Sequence, residues 1–401
     1  MKKNFFNFDK IILIPLLFII IYSSGYCLSL TDNSLKNILL IFGTILLLLE
    51  SSINRKINLM ILIKVLVTLA LIFLPMIFNA DLKSLYSYVT FFFLIVFSVV
   101  FVDILSFEKF SSYYINVVII ITVISIIFFI ANSFLHININ YSIFVSYNGI
   151  KYKNFYNIYF QIYDSTKNIS IFWEPGLFSS YIALAMILLV FQKNISLLKM
   201  IILIIGILTS GSTSGYVLII LVFLLRFSKN GDYKKNGTLT TIIIIFLVTM
   251  LFLNYTKIVD YLIGLNSEIF SKLLFDDVSS KTRIYSPIID FKIYLKSPIF
   301  GFGINKFNLK YLEEIKGTFV DSQTSTIGFL LGSFGIFGLI YLYMLIRGVF
   351  KNLKFNFSTK FIIFTIVLFI LNKEPHYSML VSWIFVMYLN FHKIIGDNNE
   401  R

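Results

Sequence analysis

The sequence predicts an all-α integral membrane protein, and three observations support this fold class. Of its 401 residues, 58% are hydrophobic and only 13% are charged. The mean hydropathy of +0.87 is too high for a water-soluble globular fold. Apolar runs of roughly 20 residues, enough to cross about 30 Å of hydrocarbon as a helix, recur along the whole chain. We therefore expect residues 1–401 to form a single polytopic membrane domain.

The apolar runs predict about twelve transmembrane helices. The first run follows Met1-Lys2-Lys3 and has no small-residue cleavage site, so we expect it to remain as the first span. The predicted spans cover roughly residues 11–30, 34–50, 57–78, 84–104, 113–135, 174–192, 195–210, 214–229, 237–254, 323–346, 359–372 and 376–392.

The charges of the short connections predict the orientation. With a cytoplasmic N-terminus, the short outer connections contain only Lys36, Lys83 and Lys373 as basic residues. The inner connections 51–56, 105–112, 193–199, 226–236 and 347–360 contain many more, as the positive-inside rule describes. Topology therefore explains the net charge of +14, and we expect the lipid bilayer, and no nucleic acid, as a partner.

Two long segments fall on the outer side, residues 136–173 and 255–322, and function is expected there. Backbone outside a helix cannot face lipid, so these polar segments must lie in water or inside protein. Residues 136–173 are rich in Tyr, Phe, Asn and Lys, and alternation over 156–163 has the period of a strand. This segment is either a sugar-binding shelf or an aromatic anchor at the membrane interface.

Glu174 is the first candidate catalytic residue, in the sequence Phe-Trp-Glu-Pro-Gly that opens the sixth span. Pro175 suits the first position of a helix, and an acid at a helix N-terminus interacts well with the macrodipole, so a simple capping role is one interpretation. The neighbouring aromatic residue Trp173 favours the other interpretation, since a carboxylate in apolar surroundings is usually paired or has a raised pKa.

Arg283 is the second candidate catalytic residue, and of the five arginines it alone falls in an outer loop. Its planar fork of donors suits a diphosphate, and Lys281 and Lys296 are nearby candidates for substrate binding. Gly301 and Gly303 form a predicted turn whose backbone amides could approach a ligand.

His376, in an outer connection, is a further candidate acid, base or substrate contact. The lone Cys27, three scattered histidines and the lack of an acid-rich cluster predict no metal site, and no cofactor is expected.

Three stretches, taken in order, resemble the O-antigen polymerase and ligase superfamily, which includes the Wzy-type polymerases. They are Phe172 to Gly176 at the start of a span, Arg283 followed by Pro298, Gly301 and Gly303, and residues 325–343 with Gly335 and Gly338. Ligase-like members carry a His-Asn pair about eleven residues ahead of the glycine matching Gly335, and this chain has Thr324-Ser325 there. That departure weakens the ligase interpretation.

The resemblance implies a GT-C-like fold in the bacterial inner membrane, with the active site facing the periplasm or exterior. It implies metal-independent transfer between undecaprenyl-diphosphate-linked oligosaccharides, which yields O-antigen, capsule or another exopolysaccharide, and a chain-length regulator as partner. Arg283, with Lys281 or Lys296, would stabilise the leaving diphosphate. Glu174 would take the proton of the attacking hydroxyl, or would hold Arg283 in place.

Two alternatives stay open at this stage. An O-antigen ligase would use the same donor for another acceptor. A lipid-linked oligosaccharide flippase would carry out no chemistry, but two-half transporters usually have related halves, and no internal repeat is evident in this sequence.

Overall fold

The structure is a computed structural model that describes residues 8–30, 33–55, 59–137, 139–146, 149–162, 167–192, 195–229, 278–318, 320 and 322–391. These residues are mostly helical. The α-helices are α1 (Phe8–Tyr22), α2 (Asn33–Arg55), α3 (Leu59–Phe78), α4 (Leu85–Ile104), α5 (Phe107–Phe129), α6 (Pro175–Phe191), α7 (Leu197–Ser210), α8 (Thr213–Lys229), α9 (Val278–Lys296), α10 (Ile304–Ile315), α11 (Thr326–Phe334), α12 (Ile336–Arg347), α13 (Phe357–Lys373) and α14 (Leu380–Phe391).

The mostly helical, apolar fold agrees with the class predicted from the sequence. Among the described residues, three helical stretches are long and apolar enough to cross a membrane: Ser34–Ser52, Leu82–Ile104 and Phe107–Ser133. Shorter apolar helices accompany them, among them α6, α7 and α14. The ninth predicted span, 237–254, lies outside the described residues, so the count of twelve spans stays a prediction.

Helix α6 lies at the centre of the bundle. All its residues from Gly176 to Val190 are buried, and it packs against α5, α7 and α8. A helix that is apolar on all sides belongs in the interior of a fold, because every face then contacts protein or lipid. The first turn of α6, which follows Glu174, is therefore enclosed by neighbouring elements.

The span predicted over residues 323–346 is two helices, which corrects the single-helix interpretation. Helix α11 ends at Phe334, and α12 begins directly after Gly335, whose φ of 58° and ψ of −118° suit glycine alone among the residues. The turn before α10 docks on this break, since the Gly303 amide donates to the Ser333 carbonyl at 3.0 Å and the Ile336 amide to the Ile299 carbonyl at 3.0 Å.

The aromatic-rich segment contains a small antiparallel sheet, so the protein is not purely α-helical. Strands β1 (Ser142–Val145), β2 (Lys151–Phe155) and β3 (Ile158–Gln161) pair in the order β1-β2-β3. The strand period expected over 156–163 is correct for β3. Tyr156 and Asn157 form the β2–β3 turn with positive φ, as tight hairpins require.

The large outer loop, 255–322, is helical in the part that the structure describes. Residues 255–277 lie outside that part, and α9 and α10 follow. Helix α9 packs against α11 and α13.

Several connections meet at one end of the bundle, which we call the site end. Here the α1–α2 connection, the residues before α6, the α7–α8 turn and the α13–α14 connection contact one another. For example, Lys36 of α2 donates to the Ser378 carbonyl at 2.8 Å, and the Val381 amide donates to Ser24 Oγ at 3.0 Å. The site end thus gathers segments from the whole length of the chain.

Candidate functional site

A polar cavity of about 590 Å³ opens at the site end of the bundle. Segments predicted to lie in four different outer connections contribute to its wall. The lining residues are Ser29, Leu30, Lys36, Ile150, Tyr152, Trp173, Glu174, Thr282, Arg283, Ser322, Gln323, Thr324, Lys373, Glu374, Pro375, Tyr377 and Ser378.

Glu174 is positioned by the start of α6. Its backbone is extended, with φ of −144° and ψ of 147°, and Pro175 occupies the first turn of the helix. The Glu174 side chain does not cap its own helix. It lines the cavity and shares a hydrogen bond with the carboxyl group of Glu374. Of the two interpretations of Glu174, the geometry favours the one in which the acid belongs to a site.

Glu374 follows the last residue of α13 and brings the two predicted catalytic residues together. Its side chain is only 6% exposed, and its Oε1 lies 3.6 Å from Arg283 Nη2. The Glu374 backbone is held as well, because its carbonyl accepts from the His376 amide at 2.6 Å and from Thr326 Oγ1 at 3.4 Å. Sequence reasoning did not select this residue.

The electrostatics of Glu374 are those of an acid held in a crowded pocket. Burial, with the neighbouring Glu174 carboxylate, raises the pKa of this carboxyl to about 8. The positive charges of Arg283 and Lys373 act in the opposite direction. Burial dominates because a charged carboxylate loses its hydration when water is excluded.

Arg283 reaches the cavity from α9. Its side chain is 28% exposed, so the guanidinium faces both the ion pair with Glu374 and the solvent of the cavity. Pro287 lies four residues later inside the same helix, and a proline there removes the amide that would bond the Arg283 carbonyl. The hydrogen-bond ladder of α9 is thus interrupted at the turn that carries Arg283.

Two lysines supply further positive charge. Lys373 is buried, and its Nζ donates to Ser179 Oγ at 2.6 Å and to Ser212 Oγ at 3.2 Å. Ser212 belongs to the small, hydroxyl-rich turn between α7 and α8, so this turn helps to fix a buried cation. Lys36 lies elsewhere in the wall and donates to the Ser378 carbonyl.

The other predicted residues divide into those that line the cavity and those that do not. Trp173 lines it, and its carbonyl accepts from Tyr152 Oη at 3.3 Å and from Gln161 Nε2 at 3.1 Å. These bonds join the sheet to the residues before α6. The aromatic segment therefore forms part of the cavity wall, as the sugar-binding interpretation requires.

The predicted turn glycines have a packing role. A side chain on Gly301 would collide with the backbone of Ser333 and Phe334, and one on Gly303 would meet Asp81 and Tyr88. Both glycines have positive φ, and neither is among the residues that line the cavity. The prediction that they bind substrate is therefore corrected: they let the turn before α10 dock on α11.

Lys296 does not line the cavity, in contrast to the role expected for it. Lys296 Nζ bonds Glu314 Oε1 at 2.7 Å in an exposed pair, away from the cavity lining, because it points outward from the last turn of α9. The side chain of Lys281 lies outside the described part of the chain.

His376 is buried behind the cavity and does not line it. Its Nδ1 lies 2.9 Å from Ser382 Oγ. Burial, with the positive charge of Lys373, lowers the pKa of this imidazole to about 3. The ring is therefore neutral near pH 7, and the predicted acid, base or substrate-binding role is corrected to a structural one.

A signal in the sequence pointed to Glu374. Of the six prolines, only Pro175 and Pro375 follow a glutamate. Each Glu-Pro pair stands at a predicted outer end of a span, and the structure brings the two glutamates together. No comparable pattern in the sequence predicts that Lys36 lines the same cavity as the two glutamates, because its position depends on how α2 packs.

The chain matches no family model, no curated protein and no solved structure. Within the described ranges, His, Cys, Asp and Glu side chains form no group of three suited to a metal ion. The chemistry open to the cavity depends on its two carboxyls, three basic side chains and aromatic wall.

Proposed function

We propose that this chain polymerises undecaprenyl-diphosphate-linked oligosaccharide repeats at the outer face of the bacterial inner membrane. One observation carries the proposal: Glu174 and Arg283, far apart in the sequence, line the same cavity at one end of an apolar helical bundle. Placing an acid and an arginine in apolar surroundings costs free energy, so charged residues at such a position mark a functional site.

The charges of the cavity suit transfer of a glycan from a diphosphate. The leaving diphosphate gains negative charge as the bond from its oxygen to the anomeric carbon breaks. Arg283, Lys36 and Lys373 supply positive charge around that position. The proposed reaction needs no metal ion, because protein cations take the role of a bound cation.

The attacking sugar hydroxyl must lose a proton, and a carboxylate within reach is the natural acceptor. Glu174 is the proposed base. The rival role for Glu174 was to hold Arg283 in place, and the ion pair of Arg283 with Glu374 at 3.6 Å supplies that brace from another residue. Glu374 therefore favours the base role for Glu174.

The wall beside the sheet suits the sugars. Trp173 offers an aromatic face, on which the apolar face of a sugar ring stacks, and Gln323 and Ser322 line the cavity as possible partners for hydroxyls. A mixed aromatic and amide lining of this kind fits an oligosaccharide better than it fits a bare lipid or ion.

A reconstituted assay tests the proposal. The purified protein in lipid nanodiscs, given undecaprenyl-diphosphate-linked repeats, is expected to form a ladder of longer lipid-linked chains on a gel. Glu174→Gln and Arg283→Lys nearly preserve shape and should lower the rate by 10²-fold or more, on the order expected for loss of an acid–base or charge-stabilising group. Glu314→Gln, in an exposed pair away from the cavity, is the matched control. Wild-type rates in both variants would refute these two roles.

Surface polysaccharide from a strain that lacks the protein separates this function from its rivals. Loss of a polymerase leaves surface glycan with single repeats. Loss of a ligase leaves long lipid-linked chains unattached, and loss of a flippase traps single repeats inside the cell. Chain-length analysis distinguishes the three, and either of the last two results would replace the proposed function.

A further inference from the structure

The carboxyl groups of Glu174 and Glu374 form a pair in the cavity wall. They come from different helices, since Glu174 precedes α6 and Glu374 follows α13, and their side chains share a hydrogen bond. A carboxylate only accepts hydrogen bonds, so a bond between two carboxyls requires a proton on one of them. Protonation of one member therefore lets the two carboxyls bond each other, and loss of that proton leaves two like charges side by side.

Arg283 is the cation that favours the ionised form of Glu374, and it is also the cation best able to move. Its distance to Glu374 Oε1 is 3.6 Å, longer than a hydrogen bond, and its side chain is partly exposed to the cavity. Glu374 Oε1 has no hydrogen-bond partner. Lys373 differs, because two serine hydroxyls fix its ammonium group below the cavity.

The other charged and titratable groups that face the pair come from the remaining walls of the cavity. They are Lys373 at the end of α13, Lys36 from α2, Tyr152 from β2, Tyr377 from the α13–α14 connection, and Tyr181 of α6, which is close to Glu374. Asp290 of α9 lies behind Gln323, which donates to Asp290 Oδ2 at 3.0 Å, and it is not part of the cavity lining. His376 is neutral and bonded to Ser382.

We propose that the cavity binds a diphosphate together with a proton, and that Arg283 moves from Glu374 to the diphosphate when it binds. This inference rests on the proposed function for the identity of the ligand, and it adds Glu374 as the residue that couples binding to protonation. The proton comes from solvent, and no covalent bond forms or breaks in this step.

The coupling follows from charge balance. Without ligand, the positive charge of Arg283 lowers the proton affinity of Glu374, and Glu174 raises it. When Arg283 moves to a bound diphosphate, its positive charge no longer lowers the proton affinity of Glu374, and the diphosphate adds negative charge nearby. Both changes favour protonation of the Glu174–Glu374 pair. Above about pH 7.5 the terminal phosphate of an alkyl diphosphate such as farnesyl diphosphate has lost its last proton, whose pKa lies near 6, so proton uptake measured with that probe belongs to the protein. Inorganic pyrophosphate still carries a proton at this pH and therefore serves as a probe of affinity only.

Titration calorimetry on the purified full-length protein in detergent tests this inference. Inorganic pyrophosphate and farnesyl diphosphate serve as probes, each titrated at pH 8.5 in two buffers of different ionisation enthalpy. For farnesyl diphosphate, the difference in observed heat between buffers gives the number of protons taken up on binding. Both probes carry the same diphosphate, so a response to farnesyl diphosphate alone means that the lipid chain contributes to affinity.

The expected result is net proton uptake by the wild type and an affinity that falls as pH rises from 7.5 to 9. Glu374→Gln should lose most of the uptake and bind at pH 8.5 at least as tightly as the wild type, because Arg283 no longer has a competing carboxylate. Glu174→Gln should also lose uptake. Lys36→Met tests the lysine contribution and should weaken binding while retaining the uptake.

Three results would overturn the proposal: no binding of either probe, binding without proton uptake in the wild type, or equal uptake in the wild type and both glutamine variants. Elution as a single monodisperse peak in detergent shows that each variant is folded. The outcome is independent of polymerisation, since proton-linked diphosphate binding by a protein that never extends a lipid-linked repeat would refute the proposed function and leave this inference standing.

Discussion

The carboxylate of Glu374 occupies the space where a side chain on Gly176 would lie. A Cβ built on Gly176 would collide with Glu374 Oε1 and come within 3.1 Å of Lys373 Cε. Gly176 stands in the first turn of α6, two residues after Glu174. The glycine of the Phe-Trp-Glu-Pro-Gly stretch thus makes room for the second acid of the site, while the glutamate of the same stretch contacts that acid.

Gly176→Ala should therefore damage the site more than it damages the fold. The added methyl group overpacks a buried position, which costs about 1–3 kcal/mol of folding free energy. It also displaces Glu374 from Glu174 and Arg283, so we expect polymerisation to fall at least tenfold. Activity in nanodiscs, together with thermal unfolding in detergent, measures the two effects.

Gly206→Ala is the matched control for that prediction. Gly206 lies in α7, and its added methyl group would meet the side chains of Thr122 and Ile182, away from the cavity. It should destabilise the protein to a similar degree with little effect on activity per folded molecule. Equal activity losses in the two variants would contradict the special role of Gly176.

Two lysines, Lys373 in the cavity wall and Lys296 on the surface, should differ strongly in their effect on stability. Lys373 is buried beside Glu374 and is held by two hydroxyls, so Lys373→Met leaves uncompensated buried groups and should cost about 3–5 kcal/mol. Lys296 is 54% exposed in its pair with Glu314, so Lys296→Met should cost less than about 1 kcal/mol. Thermal unfolding in detergent compares them, and similar losses would mean that Lys373 is not held as described.

Much of the helical framework could be predicted from the sequence, because long apolar runs have few alternatives in a membrane. The start of α6 at Pro175 was predicted closely, since a proline suits the first turn of a helix. The break at Gly335 was missed because an apolar run of normal length conceals a single glycine with positive φ. Its cause is the turn before α10, whose backbone occupies the space beside Gly335.

The candidate site was predicted in part. Glu174 was selected because it stands beside an aromatic residue at the start of an apolar span, and Arg283 because it is the one arginine in an outer loop. The structure has both in one cavity. Glu374 was missed because its meeting with Glu174 depends on how α13 packs against the start of α6. Gly301, Gly303 and His376 were selected by residue type alone, and burial gives each of them a structural role.

His376 should make the free energy of unfolding depend on pH. Burial and the positive charge of Lys373 lower its pKa to about 3 in the folded protein, against about 6.5 in an unfolded chain. Between these values the unfolded chain binds a proton that the folded protein does not. The free energy of unfolding therefore falls as the pH falls below 6.5, by up to about 1.4 kcal/mol per pH unit.

His376→Gln removes this proton, so the stability advantage of the wild type over the variant should shrink steadily from pH 6.5 to pH 4.5. Glu374, whose raised pKa acts in the opposite direction between about pH 4.5 and pH 8, is present in both proteins and cancels in the difference. His136→Gln, at an exposed position, is the control for replacement of a histidine by glutamine. A constant difference between the wild type and His376→Gln across this range would mean that the imidazole is protonated in the folded protein, and the acid or base role predicted from the sequence would then be open again.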